Sequence, residues 1–173
     1  MRVTDVLHRA GLINTEHFSD YHRDRGTGVH QACHFWDEGD LEDSSLVPEV
    51  RVRLDQYKRF LVEVGPEIIA AEREVVHSVL GYRGRLDRIV RINGRTGVLD
   101  IKGVSEAPWH GVQLFAYMAA YNSNLNTAAP ATARWNLYLY DDHYKLVERT
   151  DRQDFGVFCA ALTLARWKEK HGS

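Results

Sequence analysis

Residues 81–102, GYRGRLDRIVRINGRTGVLDIK, set Asn93-Gly94 between two runs of β-branched, alternating residues. Asn-Gly in that setting is the strongest short signal for a β-hairpin, because both residues tolerate the positive φ that a two-residue type I′ turn demands. Such a turn fixes the register: Ile92 meets Arg95 and, counting outward along both strands, Asp87 meets Asp100. Directly opposed Cβ atoms lie about 4.5–5.5 Å apart, and like charges so placed weaken a sheet. Folding alone gives no reason for the arrangement; a divalent cation between the carboxylates does. Lys102, two residues past Asp100, projects from the same face. Leu86, Leu99 and Ile101 are expected on the opposite face, in a core.

The rest of the chain supplies material to enclose this ribbon. Residues 4–11 read as a short helix capped by Thr4, and HFSDYHRDRGTG reads as a loop. A second helix is expected from Thr27 or Gly28 to Gly39, burying Val29, Ala32, Cys33 and Trp36. A third follows Pro48, with Val50, Leu54, Tyr57, Leu61 and Val64 as its apolar stripe. EIIAAEREVVHSV then reads as a strand before the hairpin, and a helix is expected from Trp109 to Asn122 with Leu114, Met118 and Tyr121 inward. Arg134–Tyr140 and Tyr144–Arg149 alternate as strands. A last helix over 151–170 is expected to bury Phe155, Phe158, Leu162, Ala165 and Trp167. At 173 residues this makes one domain, 1–173, of mixed α/β (α+β) class: a central mixed sheet of about five strands flanked by helices.

Composition narrows the function. The net charge of −2 excludes a generally basic surface, so contact with a polyanion must be local. One local concentration exists: Arg83, Arg85, Arg88, Arg91 and Arg95 fall in the hairpin, and Arg83, Arg85 and Arg91 share strand parity with Asp87. Beside paired carboxylates, phosphate contact is the better reading of these arginines than protection of a sheet edge. Two distant cysteines make neither a disulfide framework nor a zinc or iron–sulfur site. No stretch approaches the ~20 apolar residues of a membrane span, and Asp5, His8 and Arg9 interrupt any secretory signal, so an intracellular, cytoplasmic location is expected.

Mg²⁺ prefers oxygen donors and binds through one or two carboxylates while keeping several waters, which Asp87 and Asp100 satisfy. The Ile101 carbonyl, between Asp100 and Lys102, offers a further neutral oxygen. A lysine beside such a site holds a phosphate or orients an attacking water. These motifs carry a resemblance: GYRGRLDRI followed by VLDIK resembles the paired motif of the PD-(D/E)XK nuclease superfamily, and within it the RecB-like, phage-type exonuclease branch. GTGVH at 26–30 resembles the family's helical motif ending in a metal-binding histidine, here His30. Glu72 resembles an acidic residue carried on the preceding strand, although Glu74 shares its face at i+2. QLFAYMAAY resembles the family's Q-x-x-x-Y motif, here Gln113 and Tyr117. Two departures stand out. Gly103 follows Lys102 where relatives often carry Thr or Ser, and the four cysteines of the iron–sulfur members are missing.

The resemblance implies a restriction-endonuclease-like core and an Mg²⁺- or Mn²⁺-dependent deoxyribonuclease, an exonuclease of phage or bacterial recombination and repair. It implies His30, Asp87, Asp100 and the Ile101 carbonyl as metal ligands, and Asp87, Asp100, Lys102 and Glu72 as catalytic residues. Gln113, Tyr117, Arg83, Arg85 and Arg91 would meet the DNA. A structure-selective or defence endonuclease, or a silent nucleic-acid-binding module, are the alternatives. With no Walker A motif in the sequence, any motor would come from a helicase partner, and a ring of copies is the other route to processivity.

Overall fold

The computed structural model describes residues 1–13, 20–42, 44, 46–124 and 129–172. Its elements run α1 (Val3–Arg9), α2 (Asp20–Glu38), α3 (Pro48–Val64), β1 (Glu67–Val76), β2 (Arg83–Ile92), β3 (Arg95–Lys102), α4 (Trp109–Asn122), β4 (Ala133–Leu139), β5 (Tyr144–Glu148) and α5 (Asp154–His171). The hairpin turn has the conformation its residues demand, with φ of 49° at Asn93 and 75° at Gly94. Ile92 accordingly pairs with Arg95, and Arg88 with Leu99.

The strands form one sheet in the order β1-β2-β3-β4-β5. All neighbours are antiparallel except β3 and β4, which are parallel and are joined through α4. A parallel pair needs a crossover of that kind, because a tight turn only reverses the chain. Helices cover both faces, which is the mixed α/β architecture of a restriction-endonuclease-like core. On one face α1, α4 and α5 pack Val6, Leu114 and Phe158 against Ile89 and Val98; on the other α2 and α3 pack Val29, Leu54 and Phe60 against Val90, Leu99 and Ile101. Because both faces are covered, all seven residues of β4 are buried, where alternation suggested a half-exposed strand.

Several local expectations are corrected. Arg2, not Thr4, is the N-cap of α1, and its backbone N–H is bonded to the Asp5 carboxylate at 3.2 Å. Residues 20–28 of the expected loop are helical, while His17 to Ser19 lie outside the described residues. Gly28 has a packing role there: its Cβ would sit 3.2 Å from Val50 Cγ2, so its absence lets α2 approach α3, whereas Gly26 faces open space. Leu99 and Ile101 enter the α2/α3 core as expected, but Leu86 joins the opposite one. Leu61 and Val64 are only partly buried, and Phe60 takes the fully buried place in α3. Trp36 and Trp167 are exposed; Trp36 lies under the Lys58 ammonium, and Trp167 packs beside His171.

Candidate metal and hydrolytic site

The β2–β3 ladder ends at Arg88 and Leu99. One step beyond, Asp87 uses its side chain where the backbone pairing stops: its Oδ2 accepts the Ile101 N–H at 2.7 Å. His30, on the face of α2 turned to this ribbon, brings Nδ1 to 3.2 Å from the same oxygen. Asp100, next along β3 after Leu99, the last residue paired with β2, is held separately. Its Oδ2 receives both Lys102 Nζ and Asn136 Nδ2, each at 2.9 Å. In both carboxylates the contacts converge on Oδ2, leaving Oδ1 without a partner among the described residues. An ionised carboxylate has about four acceptor positions, so each Asp keeps half of its capacity unspent.

The two carboxylates are nearly buried, at 8% and 3% exposure, and their proton affinities are split. Burial raises both, but at Asp87 the His30 imidazole, Lys102 and the Ile101 N–H outweigh it and the group lies below the usual range. At Asp100 burial and the Asp87 charge outweigh Lys102, and the group is pushed up. Burial also opposes charge on His30, but the adjacent Asp87 prevails and raises it.

Glu72 completes the cluster by an unusual backbone. It is a non-glycine residue at φ 47°, a left-handed conformation costing about 1–2 kcal/mol. Ligand atoms of His30, Glu72 and Asp87 lie within 4.8 Å of one another. Among the described residues that trio is the group of three or more such donors this close together, and Asp100, expected as a ligand, is not one of its members. Arg88, fully buried, links Glu72 to the interior: its Nη1 lies 3.4 Å from Glu72 Oε1 and its Nε 2.8 Å from Asp37 Oδ2. Glu74 instead lines a separate cavity with Arg83 and Arg85.

Lys102 is fixed from three sides. It bonds Asp100 and Gln113 Oε1, the latter at 2.8 Å, and its Nζ lies 5.4 Å from the centre of the Trp109 ring. Gln113 then donates to the Tyr117 hydroxyl at 3.1 Å. Gln113 and Tyr117 are buried, and Gln113 holds the lysine with Tyr117 behind it. Tyr117 fits because Gly84 has no side chain: a Cβ there would lie 2.4 Å from Tyr117 Cε1. Of the hairpin arginines, Arg85 reaches the site's edge, with Nε 4.0 Å from Glu72 Oε2, and Arg83 is exposed beside it. Arg91 pairs with Glu67 four residues along the strand and is not brought to the cluster.

Sequence reasoning missed Asn136, Trp109 and Arg149. Asn136 has no exposed surface and, besides holding Asp100, accepts Arg149 Nε at 2.8 Å. Its signal was legible: asparagine is depleted in strands, and Asn136 interrupts the apolar run ARWNLYL.

Three comparisons bear on this arrangement. No curated protein matches the chain significantly. Among solved structures, SSO0001 shares 19% identity at a TM-score of 0.45, covering 96% of this chain and 73% of its own. The alkaline exonuclease LHK-Exo of Laribacter hongkongensis shares 16% identity at a TM-score of 0.32, with 99% of this chain and 91% of its own covered. The same exonuclease in complex with dAMP gives 16% identity and a TM-score of 0.35. A family model matches residues 45–166, a span holding Glu72, Asp87, Asp100, Lys102, Gln113 and Tyr117 with His30 upstream, and the chain belongs to the PD-(D/E)XK nuclease superfamily.

Proposed function

We propose that this protein is a metal-dependent deoxyribonuclease of the RecB-like, phage-type branch, acting as an exonuclease in phage or bacterial recombination and repair. The observation that carries the reading is the pair of buried aspartates, each with one oxygen spoken for and one unspent, beside a lysine held by three neighbours. The donor set fits a divalent cation: carboxylate oxygens from Asp87, Asp100 and Glu72, with one imidazole from His30, suit Mg²⁺ or Mn²⁺. The Ile101 carbonyl joins them on the strand logic that a residue's N–H and C=O point to the same side, since its N–H already faces Asp87. Such a cation polarises the phosphoryl group and acidifies water.

The chain's own groups do the rest. An ammonium has three N–H donors. Lys102 spends one on Asp100 and one on Gln113, which leaves the third to hold the entering water and stabilise the charge growing on the phosphoryl oxygens. Water oxygen bonds to phosphorus as the bond to the leaving sugar oxygen breaks; the water gives a proton to solvent and the sugar oxygen takes one from solvent, leaving a phosphomonoester and a free hydroxyl. Gln113, Tyr117 and Trp109 keep the ammonium on line, and Asn136 keeps Asp100 from following the lysine. Arg83 and Arg85 offer positive charge to the strand being cut; Arg91, neutralised by Glu67, has a smaller share.

The test compares linear duplex, single-stranded and closed circular DNA with Mg²⁺ or Mn²⁺, beside EDTA, Asp100→Ala and Lys102→Ala controls. Loss of linear DNA only, abolished by every control, is the expected result. Cutting of circles would make it an endonuclease, and cation-independent or absent cutting on all substrates would overturn the reading.

A further inference from the structure

A second feature lies beside Tyr117. A cavity of about 440 Å³ opens between α1 and the β1–β2 ribbon, lined by Arg2, Thr4, Glu74, Arg83, Arg85 and Tyr117 among others. Its volume lies within the range of about 300–1,000 Å³ typical of ligand sites. Its charge is unbalanced: three guanidinium groups face one carboxylate. Glu74 stands opposite Arg85 in the β1–β2 register, and Arg85 also lies near Glu72. Arg2 and Arg83 have no ion-pair partner among the described residues, and both are exposed.

Their placement is the telling part. The amino-terminal residues bridge to β2 in parallel, with Arg2 directly beside Arg83 and the Arg83 N–H donated to the Met1 carbonyl at 3.1 Å. Two like charges side by side on paired backbone oppose folding. A polyanion lying across them removes the repulsion. The cavity also shares a wall with the support of Lys102, because Tyr117, which lines it, is joined through Gln113 to Lys102 by two hydrogen bonds.

Resting on the nuclease reading above, we infer that this cavity binds the phosphodiester backbone of a single nucleic-acid strand, with Arg2 and Arg83 as its principal phosphate contacts. Arg2 gains a role that no motif suggested, and the amino-terminal segment becomes part of the substrate path. The strand runs past Tyr117 to the cluster of Asp87, Asp100 and Lys102.

The test measures binding of a labelled single-stranded DNA oligonucleotide by fluorescence anisotropy over a salt series, in EDTA so that nothing is cut. Each lost phosphate contact lowers the slope of log affinity against log salt by about 0.7 on a single strand. The Arg2→Ala/Arg83→Ala variant is expected to bind about tenfold more weakly, with a slope smaller by about 1.4, and to raise KM in the cleavage assay. Arg59→Ala on α3, whose guanidinium is paired with Glu63, serves as a control and should leave the slope alone. An unchanged slope and affinity in the double variant, or an equal loss in the Arg59 control, would overturn the inference. The two readings separate cleanly. A wild type that cuts DNA while the double variant binds normally sinks the cavity alone, whereas slope-dependent binding without any cutting sinks the nuclease reading alone. A wild type that binds no oligonucleotide overturns the cavity proposal outright.

Discussion

Asp100 is a costly residue to bury, and its surroundings show how the cost is met. It keeps Lys102 and Asn136 on one oxygen, yet the nearby Asp87 charge and the loss of water still push its proton affinity up. A neutral isostere removes that burden, so metal-free Asp100→Asn should melt at a higher temperature than metal-free wild type while losing cleavage; a lower melting point would mean the Lys102 pair outweighs the repulsion. Asn136 is a positioning residue whose own chemistry is silent. Partners behind a metal ligand are typically worth 10–100-fold in metal affinity or activity, so Asn136→Ala should raise the Mn²⁺ concentration for half-maximal cleavage by that factor. An unchanged Mn²⁺ dependence would reduce Asn136 to packing. His110 offers a pH signature beside Lys102. Burial, with Lys102 and Arg149 nearby, lowers it to about 3, and its Nδ1 is spent on the Tyr138 hydroxyl at 2.8 Å. A histidine neutral when folded but protonated when unfolded contributes stability that is complete above about pH 6.5 and is lost as pH falls towards 3. Denaturant titrations should therefore show wild type losing up to about 1.4 kcal/mol per pH unit more than His110→Asn across that window; parallel profiles would exclude the buried neutral form.

At the scale of elements, the hairpin is the frame and the helices bring the chemistry to it. The Asn93-Gly94 turn sets the register, β1 adds Glu72, α2 adds His30, and α4 adds Gln113 and Trp109. The junction of β2 and α4 is tightly constrained. A methyl group on Gly84 would overlap the Tyr117 ring, which must then move and release Gln113 and Lys102. Overpacking of this kind costs about 1–3 kcal/mol. Gly84→Ala should lower the denaturation midpoint accordingly and reduce kcat as well; lost stability with unchanged kcat would show that Lys102 does not depend on Tyr117.

Over the whole molecule, a cation bound as proposed should couple the site to global stability, because the donor group of His30, Glu72 and Asp87 joins α2, β1 and β2. A ligand at 100 times its Kd adds about 2.7 kcal/mol. Thermal unfolding with Mn²⁺ should shift upward in wild type and not in Asp87→Asn; equal shifts would place the cation elsewhere. No helix among the described residues is long and apolar enough to cross a membrane. Cys33 is buried, as expected, whereas Cys159 is partly exposed.

What the amino-acid sequence determined by itself was local or strictly periodic. Asn93-Gly94 dictated the turn and with it the pairing from Ile92–Arg95 to Arg88–Leu99, Pro48 opened α3, and the turn residues before Trp109 and the apolar period after it delimited α4 to its observed ends. Those features follow from φ preferences and from periods of 2 and 3.6, which need no knowledge of distant neighbours. The tertiary structure decided everything that depends on what lies across a gap. It made Gly28, in a stretch that read as loop, a contact between α2 and α3, buried Arg88 against Asp37, and separated Glu72 from Glu74. It also gave Gln113 to Lys102 and set Arg2 beside Arg83. Each of these results from packing and charge pairing between segments far apart in the chain, where desolvation fixes which partner a polar group must find.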